Sequence, residues 1–336
     1  LGTEISILEI LFPEISVIYK LLPYSNNPSG TLNPVITSVK VGELNEISIF
    51  ETLSLLGLTS DLTKELYSKR TRDVAKLKVY KDKVTGVIYI DDFYVGDKVF
   101  KSGSYREKES PEISSRNLER FDDAERRFNT YKNAFIGKKI IDFGCGEGHF
   151  LKLAKNHCAS AVGIDLQVDL IKSLKKIDIE AYKNLDSIKD QTIDTIFAFH
   201  ALEHLPNLID QLDIIKRKLS KGGKIIMEVP HANDFLLKTA KSQKFKDFTL
   251  WSQHLVLHTR DSLSRLLNHV GFEDIIIEGV QRYSLANHLT WLSDGLPGGH
   301  KSKLSILDDK NLNYAYASAL NRIDATDTIV AIAYKK

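Results

Sequence analysis

Three glycines at alternate positions follow a short apolar run in Ile140-Ile141-Asp142-Phe143-Gly144-Cys145-Gly146-Glu147-Gly148-His149-Phe150. The run reads as a strand, and Phe150 to His157 as the helix after it. Glycine tolerates a positive φ and lets a ligand approach the backbone closely. A helix that opens at the same place presents unpaired N–H groups. The spacing is not the G-x-G-x-x-G that wraps a pyrophosphate. The third glycine, Gly148, comes one position early and His149 stands where it should be. That argues against a nicotinamide dehydrogenase. Asp142, ahead of the first glycine, suits a ligand with an ammonium and a sulfonium and no phosphate. A second acid, Asp165, closes the run Ala161-Val162-Gly163-Ile164. In nucleotide-binding α/β folds such an acid bonds ribose hydroxyls, although an Asp after a strand also caps helices.

Histidine offers the second kind of chemistry. Imidazole is the usual proton acceptor near neutral pH, so an oxygen nucleophile would find a general base among the ten histidines. His200 and His204 follow the apolar run Thr195 to Phe199, with Glu203 in the same turn. His231 follows Pro230, His254 and His258 lie eight residues or fewer beyond Leu250, and His288 and His300 come later. Any one of them could equally be a cap, a surface group or a satisfied core residue. No metal site is expected, because Glu203 and His204 are adjacent and neighbours in sequence do not share a helix face.

These residues must be held by a regular frame. From Lys138 onward strand and helix alternate. Strands are expected at Lys139–Phe143, Ala161–Ile164, Ile179–Tyr182, Thr195–Phe199, Lys224–Val229, Ile275–Glu278 and Asp327–Ala333. Helices are expected at Val168–Lys175, Leu208–Leu219 (ended by Gly222-Gly223) and Ser262–Val270. This alternation implies a parallel sheet covered by helices on both faces. The earlier residues are mixed. Two short helices are expected at Ile49–Leu56 and Asp61–Tyr67, strands at Leu77–Tyr80 and Val87–Ile90, a polar linker at Lys101–Arg120 and a helix at Glu119–Asn133.

The chain has 336 residues, 43% hydrophobic and 27% charged, which is ample for a core. A formal net charge of +2 gives no strong pull toward nucleic acid or a membrane surface. The apolar N-terminal stretch Ile5 to Leu22 is broken by Glu9, Pro13, Glu14 and Lys20. It reads as a packed helix or partner contact, neither a span nor a signal peptide. Cys145 and Cys158 form no Cys-x-x-Cys pair, so neither a disulfide framework nor a cysteine zinc site is expected, and a cytoplasmic setting fits.

From about Lys138 to Lys221 the sequence resembles the class I S-adenosyl-L-methionine (SAM)-dependent methyltransferases. The Asp-Phe-Gly-Cys-Gly-Glu-Gly loop is similar to their first motif, and Asp165 matches their ribose-binding acid. Thr192-Ile193-Asp194-Thr195-Ile196 resembles the entry to their fourth strand. His200-Ala201-Leu202-Glu203-His204-Leu205 is similar to the stretch after it. Leu219-Ser220-Lys221-Gly222-Gly223 resembles their Leu-x-Pro-Gly-Gly turn, with Lys221 in place of the proline. The resemblance implies a Rossmann-like α/β fold, a seven-stranded sheet with its last strand antiparallel and helices on both faces, plus a smaller α+β N-terminal region. It implies SAM contacts at Asp142, Gly144, Cys145, Gly146, Asp165, Leu166, Phe199 and His200. The adenine amino group would meet Asn184 or Asp186.

The run from Gln253-His254 through Arg260-Asp261-Ser262-Leu263 to Gly271-Phe272 is similar to a pattern in methyltransferases of bacterial glycan synthesis. That makes His254 the preferred catalytic residue, with His200 and His204 beside it. Residues 1–127 are then an accessory region. Residues 128–336 are the methyltransferase domain, with acceptor-pocket insertions at 231–260 and 281–325. In the second insertion Arg282, Lys301 and Lys303 could meet phosphates. The expected activity is O-methylation of a sugar or nucleotide-linked sugar for a bacterial surface polysaccharide. Its rivals are a methyltransferase of another small metabolite, such as a quinone precursor, and a non-catalytic SAM-binding module. A homo-oligomer is left open.

Overall fold

The computed structural model describes residues 48–91, 93–96, 100–101, 113–299 and 303–336, without the side chains of 113–119. The apolar stretch before Leu22, His300 and Lys301 lie outside these residues. Residues 46–336 form one compact unit.

A seven-stranded sheet carries the C-terminal part. Its strands are β4 (Lys139–Phe143), β5 (Ser160–Ile164), β6 (Glu180–Tyr182), β7 (Ile193–Phe199), β8 (Leu219–Pro230), β10 (Glu273–Val280) and β11 (Thr328–Tyr334). Their order is β10-β11-β8-β7-β4-β5-β6. β4 through β8 run parallel, and β11 lies antiparallel between β8 and β10. This is the helix-covered parallel sheet expected from the alternation, in the Rossmann-like, seven-stranded form that the resemblance implies.

Successive residues of a strand face opposite sides, and both sides of this sheet are covered. Ile141, Ile196, Ala198, Ile225 and Met227 pack under the helices Leu208–Lys218 and Arg260–His269. Ile140, Phe197, Phe199 and Ile226 pack with Tyr131, Phe135, Phe150 and Leu151 on the other. Hence the strands read as continuous apolar runs rather than alternating ones.

A second, four-stranded antiparallel sheet has the order β1-β2-β3-β9. Its strands are β1 (Lys64–Ser68), β2 (Val79–Asp82), β3 (Ile88–Ile90) and β9 (Val256–Leu257). The last comes from the insertion after β8, so that insertion completes the small sheet. The helix Ile49–Leu55, with a Ser48–Glu51 capping box, packs on it.

Three expected elements are corrected. Asp61–Tyr67 is no helix: Lys64–Ser68 pairs with β2. Gly222-Gly223 does not end the helix before it. That helix stops at Lys218, and both glycines lie in β8 beside a register shift against β7. The linker of Lys101–Arg120 gives way at Ile113 to a helix running to Thr130.

Candidate functional site

The order of the large sheet reverses beside β4: β5 and β6 lie on one side, β7 and β8 on the other. Ligands of open α/β sheets bind beyond the carboxyl ends of the strands at such a switch point. Here β4 ends in the glycine loop, β5 ends at Asp165, and β7 ends at His200.

The loop is shaped by its glycines. Gly144, Gly146 and Gly148 have φ of 77°, 54° and 69°. A Cβ on Gly144 would stand 2.6 Å from Ala201 Cβ, so the loop after β4 and the turn after β7 touch there. The N–H groups of Gly144 and Cys145 donate to the Ile164 carbonyl at 2.8 and 3.0 Å. Asp165 accepts from Gly146 N–H (2.9 Å) through Oδ2 and from Gln167 N–H (2.9 Å) through Oδ1. Its carboxylate therefore braces the loop and its own turn. Leu166 lies half-buried between Asp165 and Gln167. Cys145 is buried, with its sulfur toward the β5 backbone at Gly163.

Asp142 is 4% exposed at the end of β4. Burial raises its carboxyl to about 7, opposed by Arg127 and reinforced by Asp165. Asn184 is exposed and caps the short turn Leu185–Ser187, while its amide donates to Asp186 Oδ2 at 2.7 Å. Asn184 and Asp186 thus form one local pair after β6. Phe199 is buried, and the Arg127 guanidinium lies 4.4 Å from its ring centre.

The turn after β7 gathers the histidines. His200 has φ of 51°, a left-handed conformation uncommon outside glycine. Its N–H donates to the Glu228 carbonyl at 2.8 Å. Glu203 is 1% exposed, and neither carboxylate oxygen has a hydrogen-bond partner among the described residues. Burial raises its carboxyl to about 8. His200 Nδ1 lies 3.3 Å from Glu203 Oε1 without hydrogen-bond geometry. The His204 and His254 rings are 5.2 Å apart, and Trp251 packs edge-on against both. Burial lowers the pKa of all three imidazoles, of His200 and His254 most strongly. Three expected catalytic residues thus meet at one place, with His254 brought in from the insertion after β8.

His231, His258 and His288 are structural. His231 bonds the Thr326 carbonyl, His258 bonds Ser262, and His288 stacks on Phe235 and bonds Tyr316. The phosphate role expected of Arg282 is also corrected: its guanidinium is bound to Asp123. Trp291 is buried against Phe245 and Phe248. The second insertion is therefore largely a packed cover. Lys303 is exposed.

Sequence reasoning missed the charged knot behind the site. Glu228, 0% exposed in β8, takes a two-pronged bond from Arg126 at 3.0 and 2.8 Å, a bond from Arg127 Nε at 3.0 Å and one from Tyr131 at 3.0 Å. Asp123 joins Arg126 and Arg282. Asp123 and Glu228 are held below the ordinary carboxylate range: burial opposes this, and the arginines outweigh it. The available signal was an acid in the middle of the apolar run Ile225 to Val229.

A family model described as a methyltransferase domain matches residues 107–276. The tRNA U34 carboxymethyltransferase of Ectopseudomonas mendocina is 29% identical over 155 residues, 41% of this chain and 46% of that protein. The ubiquinone biosynthesis O-methyltransferase of Idiomarina loihiensis is 24% identical over 166 residues, 45% of this chain and 68% of that protein. The match spans about half the length of several of these curated relatives. Among solved structures, a SAM-dependent methyltransferase from Archaeoglobus fulgidus aligns over 64% of this chain and 94% of its own, with 24% identity and a TM-score of 0.45.

Proposed function

The chain belongs to the methyltransferase-domain family, and we propose that it takes S-adenosyl-L-methionine as its cofactor and transfers the methyl group to a hydroxyl oxygen held against His200, His204 and His254. One observation carries this reading. The histidine turn after β7 abuts the glycine loop at the contact between Gly144 and Ala201, so cofactor and acceptor would be neighbours. Methyl transfer is an in-line displacement in which positioning supplies much of the catalysis. The acceptor oxygen attacks the methyl carbon, the carbon–sulfur bond breaks, and its electron pair stays on sulfur. The acceptor proton passes to an imidazole, with His254 as the base. Asp165 and the loop N–H groups would hold the nucleoside, Asp142 the cationic part, and Asn184 or Asp186 the adenine edge.

For the acceptor, the reading to test first is a sugar or nucleotide-linked sugar of a bacterial surface polysaccharide. The run from His254 to Gly271 supports it. The second reading is a phenolic quinone precursor. The apolar walls Trp251 and Phe100 beside His204 favour it, as does the similarity to a ubiquinone biosynthesis O-methyltransferase. An accessory role for residues 1–127 is part of the proposal.

The test is a thermal shift with S-adenosylhomocysteine, since a ligand of the folded state raises the melting temperature. The shift should appear in the wild type and be lost in Asp165→Ala. Labelled methyl transfer from SAM into a panel of sugar nucleotides and catechols then separates the two acceptors. No shift in the wild type would sink the cofactor assignment; a shift with no transfer to either class would leave a SAM-binding module.

A further inference from the structure

We propose that Glu203, His204 and His254 bind a first-row divalent cation that would hold the acceptor oxygen; its catalytic use, though not its binding, rests on the methyl-transfer reading. Each of the three offers a ligand atom, and these atoms all lie within 4.8 Å of one another. Two imidazole nitrogens and one carboxylate oxygen form a donor set suited to such ions. The expectation of no metal assumed a regular helix. Instead Leu202–His204 is a tight 3-10 turn and the third ligand arrives from another loop.

Three further observations point to a ligand here. Glu203 is 1% exposed, and both of its oxygens lack hydrogen-bond partners among the described residues. Buried carboxylates are ordinarily paired or coordinate a metal. The Nδ1 of His254 is likewise buried without a partner among the described residues. His204 is already oriented as a metal-bound histidine is: its Nδ1 lies 2.8 Å from the Gln253 carbonyl. Nδ1 therefore carries the proton and donates to that carbonyl, which places the lone pair on Nε2. An outer hydrogen bond of this kind is the usual partner of a ligating imidazole.

The surroundings complete the argument. Glu203 and His254 are tied through the backbone, since Leu255 N–H donates to the Glu203 carbonyl at 2.8 Å. Trp251 and Phe100 pack around His204 and limit water. Three protein ligands leave coordination positions open, as in catalytic rather than structural sites. A bound hydroxyl acidifies beside such a cation. With a cation bound, His254 would be its ligand rather than the base, and the acidified hydroxyl would give up its proton to bulk water before the oxygen attacks the methyl carbon.

The test uses the full chain dialysed against EDTA, titrated separately with Co²⁺, Mn²⁺ and Zn²⁺ by calorimetry. Co²⁺ is also followed by its visible absorption, and S-adenosylhomocysteine thermal shifts are recorded with and without metal. One equivalent of cation should bind at micromolar concentration, with cobalt bands showing nitrogen ligation. Glu203→Gln and His254→Ala should weaken binding by more than about 10-fold, while His157→Ala, exposed at the opposite ends of the strands, should not. The wild-type titration stands even if a variant fails to fold. Absence of saturable binding by all three ions to the folded wild type overturns the proposal, as does binding unchanged in both ligand variants. A nucleoside shift that persists in that case leaves the methyl-transfer reading standing. Cation binding without any nucleoside shift supports this site and overturns that reading alone.

Discussion

Asp142 is a buried acid whose carboxyl stands at about 7, against an ordinary value of 3.8, because burial outweighs the attraction of Arg127. The sign of its effect follows. Between these values the folded chain holds a proton that the unfolded chain has released. The native state therefore binds more protons, and Asp142 costs stability increasingly as pH rises through that window. A cationic ligand reverses the preference and favours the carboxylate. SAM affinity should then strengthen from about pH 6 to about pH 8, and the gain should vanish in Asp142→Asn. That variant should also melt higher than the wild type at the upper pH when no ligand is present. Calorimetry at the two pH values checks the first point; equal pH dependence in both proteins would remove Asp142 from the cofactor site. The acid was legible in sequence because it precedes the glycine loop. Its neighbour Arg127 was not, since a basic residue in a polar helix looks like any solvated one.

At the scale of elements, the central strands and their helices were legible because both faces of a parallel strand are buried and leave continuous apolar runs. The small sheet was not. β1 is strand because it pairs with β2, and strand preference depends mostly on such neighbours rather than on the residues themselves. Likewise β9 is two residues long and recognisable only by its pairing with β3. Glu228 shows how a helix is attached to this frame. Arg126, Arg127 and Tyr131, all from the segment Ile113–Phe135, converge on its carboxylate. Removing one partner of a buried ion pair strands the others and costs about 3–5 kcal/mol. Glu228→Gln should therefore lower the urea midpoint with little change in slope. A loss below about 1 kcal/mol would mean that apolar packing of Phe128 and Phe135, rather than charge, holds the helix.

In the whole molecule the residues before the glycine loop help to build the site, because the loop carrying His254 rests on the small sheet. Asp73 accepts from Ser252 N–H at 3.0 Å and from its hydroxyl at 2.5 Å. The Arg72 guanidinium stacks on Trp251 at 4.3 Å, and the Arg72 backbone N–H donates to the Leu250 carbonyl at 2.7 Å. Ile90 N–H donates to the Leu255 carbonyl at 2.9 Å. These five interactions bracket His254 on both sides, whereas the contacts of Asp142 and Asp165 stay within the large sheet and the helix before it. The two halves of the site should respond differently when the bracket is loosened. Asp73→Ala removes three hydrogen bonds, two from Ser252 and one from Thr71, each worth about 1 kcal/mol, at a distance from the glycine loop. S-adenosylhomocysteine binding should stay near wild type, while acceptor turnover and cation affinity both fall, since each needs His254 in place. Equal losses in nucleoside binding and turnover would point to general destabilisation instead. Unchanged turnover would show that the turn after β7 fixes His254 without help from the N-terminal residues.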